Sequence, residues 1–123
     1  MNGDVASLVM DKDTTTALGG IVVVDHYVKD VDTLIKDIRE YAQNTGGKVV
    51  LGEFGVPIPD IHGNMSEDEQ SKWLKDAFEK FQQTPELIGV NYWVSVGGST
   101  QLWNGDGVAK KAVETIKKYY SIK

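Results

Sequence analysis

The sequence predicts an α/β domain built on a parallel sheet. From Ile21 onward, apolar runs of strand length alternate with segments carrying a helical apolar stripe, in the order strand, helix, strand, helix, strand, helix. The first run, Ile21 to Val24, is four consecutive β-branched residues with no polar alternation, the pattern of a strand buried on both faces. Strands that alternate with helices pair in parallel through right-handed crossovers. At 123 residues the chain is one domain by size, and 41% hydrophobic content is enough for a core.

Residues 1–20 are ambiguous. "VASLVM" is read as a fourth strand, and "DTTTALGG" as a short helical turn stopped by glycine. After the first strand, Val31, Leu34, Ile35, Ile38, Tyr41 and Ala42 fall at steps of three and four, one helix face. Asp30 is placed to cap its start, and Gly46-Gly47 to give a left-handed exit. The second strand runs from Val49 to Phe54. "PIPDIHGN" follows as an irregular loop.

The second helix opens on Ser66 and Glu69, a capping-box spacing, and ends at Pro85. Its inward stripe is Trp73, Leu74, Ala77, Phe78 and Phe81. "LIGVNYWVSV" is the third strand, and "GGSTQLWNGDG" a turn-rich loop in which "NGDG" is a tight turn. The last helix, from Val108 to the end, turns Val108, Ala109, Ala112, Val113, Ile116 and Tyr119 inward. Residues 21–123 thus supply three βα units.

In such an architecture, binding groups gather at the carboxyl ends of the strands. Asp25, His26 and Tyr27 end the first strand, Glu53 the second, and Asn91, Tyr92 and Trp93 the third. Glu53 is the strongest signal, because a carboxylate at the tip of an apolar strand is costly unless paired or solvated in a cleft. Gly52 and Gly55 leave room beside it. His26 and Tyr27 are candidate donors that orient it, whereas Asp25 is read as structural. Trp93 offers an apolar floor for a ring-shaped ligand, Trp103 a second wall, and Asn91 shares the facing of Trp93.

Composition excludes several classes. With 18 acidic and 13 basic residues the net charge is −5, and no basic face for nucleic acid is present. No apolar run approaches the roughly 20 residues of a membrane helix, and no signal-peptide pattern opens the chain, so a soluble protein of open compartment is expected. Cysteine is absent, and two histidines without ligand spacing predict no metal site. No nucleotide-binding glycine motif occurs, and no cofactor is implied.

"VVDHYV", "KVVLGEFGVP" and "GVNYWVSVGGSTQLWN", in this order with helices between, resemble the C-terminal part of a retaining (β/α)8 glycoside hydrolase of the cellulase-like clan. The resemblance runs from about Ile21 to the end. It implies a partial, half TIM barrel formed by parallel βα units, and hydrolysis of O-glycosyl bonds in a β-linked poly- or oligosaccharide. By resemblance Glu53 is the nucleophile, His26 and Tyr27 position it, Trp93 floors the site and Asn91 contacts a sugar hydroxyl. The clan's acid/base is a glutamate after an asparagine on the fourth strand, and this sequence has no Asn-Glu pair. A full barrel needs about 250 residues. The open sheet edges therefore point to closure by self-association as a homodimer or higher assembly, burying Val22, Val24, Val49, Leu51 and Val90. The alternatives are an open three-layer sandwich, and a non-catalytic carbohydrate-binding or self-assembling half-barrel fragment.

Overall fold

In the computed structural model, which describes residues 1–120, strands β1 (Ile21–Asp25), β2 (Lys48–Phe54) and β3 (Leu87–Tyr92) form one parallel sheet in that order. The last three residues of the expected C-terminal helix lie outside the described residues. Helices α3 (Val31–Thr45), α5 (Glu67–Phe81) and α6 (Lys111–Tyr120) follow the three strands in turn. The sequence therefore folds as three βα units on an open parallel sheet among the described residues.

The helix stripes form as their periodicity dictates. Val31, Leu34, Ile35, Ile38, Tyr41 and Ala42 are all buried on α3. Asp30 caps that helix through the Thr33 amide, and Gly46 ends it at φ 67°. Ser66 and Glu69 make a reciprocal capping box on α5. Leu74, Ala77, Phe78 and Phe81 of α5 join Val22, Val24, Val49, Leu51 and Phe54 of the strands in one core. Edge-to-face contacts order that core, with Phe54 5.4 Å from Phe81 and 5.5 Å from Tyr92 between ring centres.

The structure departs from the sequence expectation in several places. The sheet is covered on one face only. Val22 and Val24 are fully buried against the helices, but Ile21 and Val23 are 42% and 44% exposed on the other face. A β-branched run suits either setting, because its composition reports strand propensity and not the number of covered faces. The same alternation overturns the expected dimer core. Val22, Val24, Val49 and Leu51 are already buried within the chain, and Val90 packs against the same core.

"VASLVM" is helical, not a strand. α1 (Gly3–Val9) is capped by the Asn2 side chain on the Asp4 amide at 2.8 Å, and it buries Gly3 and Ala6, one helical turn apart. The strand-like pairing of this segment with β1 comes from the residues before α1: Asn2 bridges Asp25 in parallel, and the Asp25 amide donates to the Met1 carbonyl at 2.7 Å. "DTTTALGG" does form a short helix, α2 (Lys12–Ala17).

Pro59 starts a single turn, α4 (Pro59–His62), inside the expected loop; proline is well suited to a first helical position. Trp73 is half-buried and not core. Its indole donates to the Lys29 carbonyl and packs edge-on against His62. The last helix starts three residues later than expected. Val108 and Ala109 are exposed, because Trp103 and Ala109 form an antiparallel bridge that holds this stretch extended.

Candidate functional site

The rim begins with the register of β1 on β2. Val24 pairs with Leu51, but Asp25 pairs with Glu53, so Gly52 is an extra residue in β2. Leu51 and Phe54 both point into the core, three residues apart. The bulge thereby releases Glu53 from strict alternation and lets it turn to the strand end. A Cβ on Gly52 would come 2.8 Å from Asp25 Oδ1 and 2.9 Å from Val23 Cγ1, so a larger residue here would displace these side chains. Asp25 thus lies on the open face, not toward the helices, and its carboxylate meets the Met1 amino group at 3.1 Å.

Tyr27 is brought to Glu53. Its phenol donates to Glu53 Oε2 at 3.1 Å. Burial raises the Tyr27 phenol well above its ordinary range, and the hydrogen bond to Glu53, with the negative charges of Glu53 and Asp25, raises it further. The phenol therefore stays protonated and keeps its donor aimed at the carboxylate.

His26 reaches Glu53 through its backbone alone, its amide donating to the Glu53 carbonyl at 2.9 Å. The imidazole turns to α3, with Nε2 2.8 Å from Asp37 Oδ2 and Nδ1 3.5 Å from the Tyr41 hydroxyl. The expected side-chain orienter is thus a strand-end anchor. Its partners sit on one helix face, which local sequence did not connect to "DHY".

Trp93 follows β3 directly and is 48% exposed. Its amide donates to the Phe54 carbonyl at 2.8 Å, fixing it one residue beyond Glu53 on the neighbouring strand end. A Cβ on Gly55 would collide with the Trp93 carbonyl oxygen, so this glycine permits the close approach. Trp103 is 38% exposed, and its amide donates to the Ser95 carbonyl at 3.1 Å, two residues past Trp93. Asn91 faces the open side, but its amide donates to the Gly52 carbonyl at 3.0 Å, leaving its oxygen outward.

Between the loops after β2 and β3 lies a polar cluster that sequence reasoning missed. Gln70 of α5 is only 2% exposed. Its Nε2 donates to the carbonyls of Val56 at 2.8 Å and Thr100 at 3.2 Å. The Tyr92 hydroxyl lies 2.8 Å from the Val56 carbonyl and 2.7 Å from that of Thr100. Burial pushes the Tyr92 phenol up to about 12, despite hydrogen bonds that act the other way. A glutamine in a charged helix gives no sign of burial; its place on the stripe, four residues before Leu74, was the available signal.

His62 is a clamp between two loops. Nδ1 accepts from the Ile58 amide at 2.9 Å, so Nε2 carries the proton donated to the Val28 carbonyl at 2.8 Å. Among the described residues no group of three or more His, Asp or Glu side chains is placed to hold a metal ion. Among them, too, no helix is long and apolar enough to cross a membrane.

Neither a protein-family model nor a curated protein matches this sequence. Solved structures do match in fold. A GH128 (subgroup I) endo-β-1,3-glucanase from Amycolatopsis mediterranei superposes with a TM-score of 0.70 at 10% identity, over 88% of this chain and 49% of that one. A GH128 (subgroup VII) oligosaccharide-binding protein from Trichoderma gamsii gives 0.68 at 16% identity, over 84% and 43%. A Bifidobacterium dentium β-glucuronidase gives 0.62 at 19% identity, over 85% and 21%. The chain therefore spans less than half the length of each of these proteins, and at these identities the likeness is one of fold.

Proposed function

We propose that this chain carries the nucleophile side of a glycoside hydrolase site for a β-linked oligo- or polysaccharide. The observation that supports it is the Tyr27–Glu53 hydrogen bond at the strand ends, with the exposed Trp93 at the end of the neighbouring strand. Glu53 attacks the anomeric carbon, the glycosidic C–O bond breaks, and the leaving oxygen takes a proton from a second carboxyl group about 5–5.5 Å away. Water then hydrolyses the glycosyl ester. Trp93 and Trp103 receive the apolar faces of the sugar, and the outward oxygen of Asn91 accepts from a hydroxyl. The resemblance assigns the proton donor to a strand that this sequence does not contain. Self-association across the open sheet belongs to the same proposal.

The test is an aryl β-glycoside whose leaving group departs without protonation. Slow aryl alcohol release that is lost in Glu53→Gln is the expected result; equal release from both proteins rejects Glu53 as nucleophile.

A second reading is saccharide binding without turnover, supported by the fold likeness to an oligosaccharide-binding protein. It predicts no release, and tryptophan quenching by a β-1,3-linked glucose hexasaccharide that survives Glu53→Gln and disappears in Trp93→Ala.

A further inference from the structure

The site reading leaves one buried group unused. Gln70 belongs to the face of α5 that meets the sheet, yet its side chain passes the core and ends among backbone carbonyls of two different loops. Val56 lies three residues after Glu53, and Thr100 lies between Trp93 and Trp103. The Gln101 carbonyl is a longer contact, at 3.5 Å. Tyr92, which directly precedes Trp93, adds its hydroxyl to the cluster and lies 3.1 Å from Gln70 Nε2.

Two amide hydrogens and one phenolic hydrogen are shared among the carbonyl oxygens of Val56, Thr100 and Gln101 and the Tyr92 oxygen. Only the nitrogen end of the amide can face such a ring of acceptors, which fixes the orientation of Gln70. Thr100 and Val56 are themselves buried, so a carbonyl that loses its donor here is costly.

We infer that Gln70 is a positioning residue: its buried amide locks the Glu53 strand end to the loop that carries Trp93 and Trp103, and so sets the spacing between carboxylate and indoles. This rests on the saccharide reading for its purpose, but the coupling itself is testable without a ligand.

The experiment uses the full chain with 5-fluorotryptophan, the three resonances being assigned by single Trp→Phe variants. In Gln70→Leu the Trp93 and Trp103 resonances are expected to shift or broaden while that of Trp73, one turn away on the same helix, stays in place. A simple weakening of α5 would move Trp73 instead, and that result overturns the inference, as does a folded Gln70→Leu with all three unchanged. Should Gln70→Leu not fold, Gln70→Glu decides. Its neutral carboxyl keeps one donor, and its ionised form faces carbonyl oxygens, so the Trp93 and Trp103 signals are expected to titrate with pH where those of the parent protein do not. The absence of that titration overturns the inference. Hexasaccharide affinity, read in parallel, is expected to fall at least tenfold in Gln70→Leu. If the parent chain binds no saccharide, the functional reading falls while the indole signals still decide the role of Gln70.

Discussion

Glu53 and Tyr27 stand 26 positions apart and meet at 3.1 Å, which makes the carboxylate's geometry depend on one phenol. That phenol ionises above its ordinary value of 10.0. The folded state therefore favours its neutral form, and the stability this contributes is full below pH 10 and is lost as pH rises through the folded value. Replacing Glu53 by Gln removes the carboxylate's share of the shift and leaves burial in place. Tyrosinate absorbance in Glu53→Gln is expected to show Tyr27 ionising at lower pH than in the parent, still above 10; an unchanged titration curve would break the pairing. The carboxylate was legible from "GEFG", where an acidic residue sits between two glycines at a strand tip. The facing of Asp25 and His26 was not. A bulge and a helix partner decide it, and neither leaves a mark in the local sequence.

Helices were the most legible elements, because a cap and a stripe are both written in contiguous residues. The Ser66 box illustrates this: the Glu69 carboxylate accepts from the Ser66 amide and hydroxyl, each at 2.8 Å. These contacts hold the Glu69 carboxyl below the usual carboxylate range, the backbone donor first. Their contribution is present above that range and fades as pH falls through the folded value. Ser66→Ala is expected to destabilise the chain by about 1 kcal/mol near neutral pH, with the difference shrinking in acid. Urea melts at neutral and acid pH measure it, and a cost that is the same at both would assign it to the Ser66 bond from the Glu69 amide and not to the hydroxyl on the carboxylate. Strand-like composition was less reliable. "VASLVM" holds β-formers, yet an asparagine cap and small residues at helical spacing make it α1. Local propensity yields there to the burial of Gly3 and Ala6.

On the scale of the molecule, the sheet has a covered face and an open one, and Ile21 and Val23 stand on the open side. Exposed β-branched side chains beside unpaired strand edges favour association. Sedimentation velocity over a concentration series is expected to show self-association that Val23→Lys abolishes. Monomers at every concentration in both proteins would reject it. Val22→Lys is not a substitute, since that position is core within the chain.

The sequence by itself determined the order of the βα units, the helix caps and stripes, and the placing of Tyr27, Glu53 and Trp93 at the carboxyl ends of adjacent strands. Parallel strands joined by crossovers can bring their carboxyl ends together in only one direction. The tertiary structure decided which strand face is covered, where the bulge at Gly52 turns Asp25 and Glu53, and that Gln70 is buried between the loops after β2 and β3. Those outcomes depend on contacts between residues far apart in the chain, where packing and hydrogen-bond satisfaction outweigh anything a local pattern encodes.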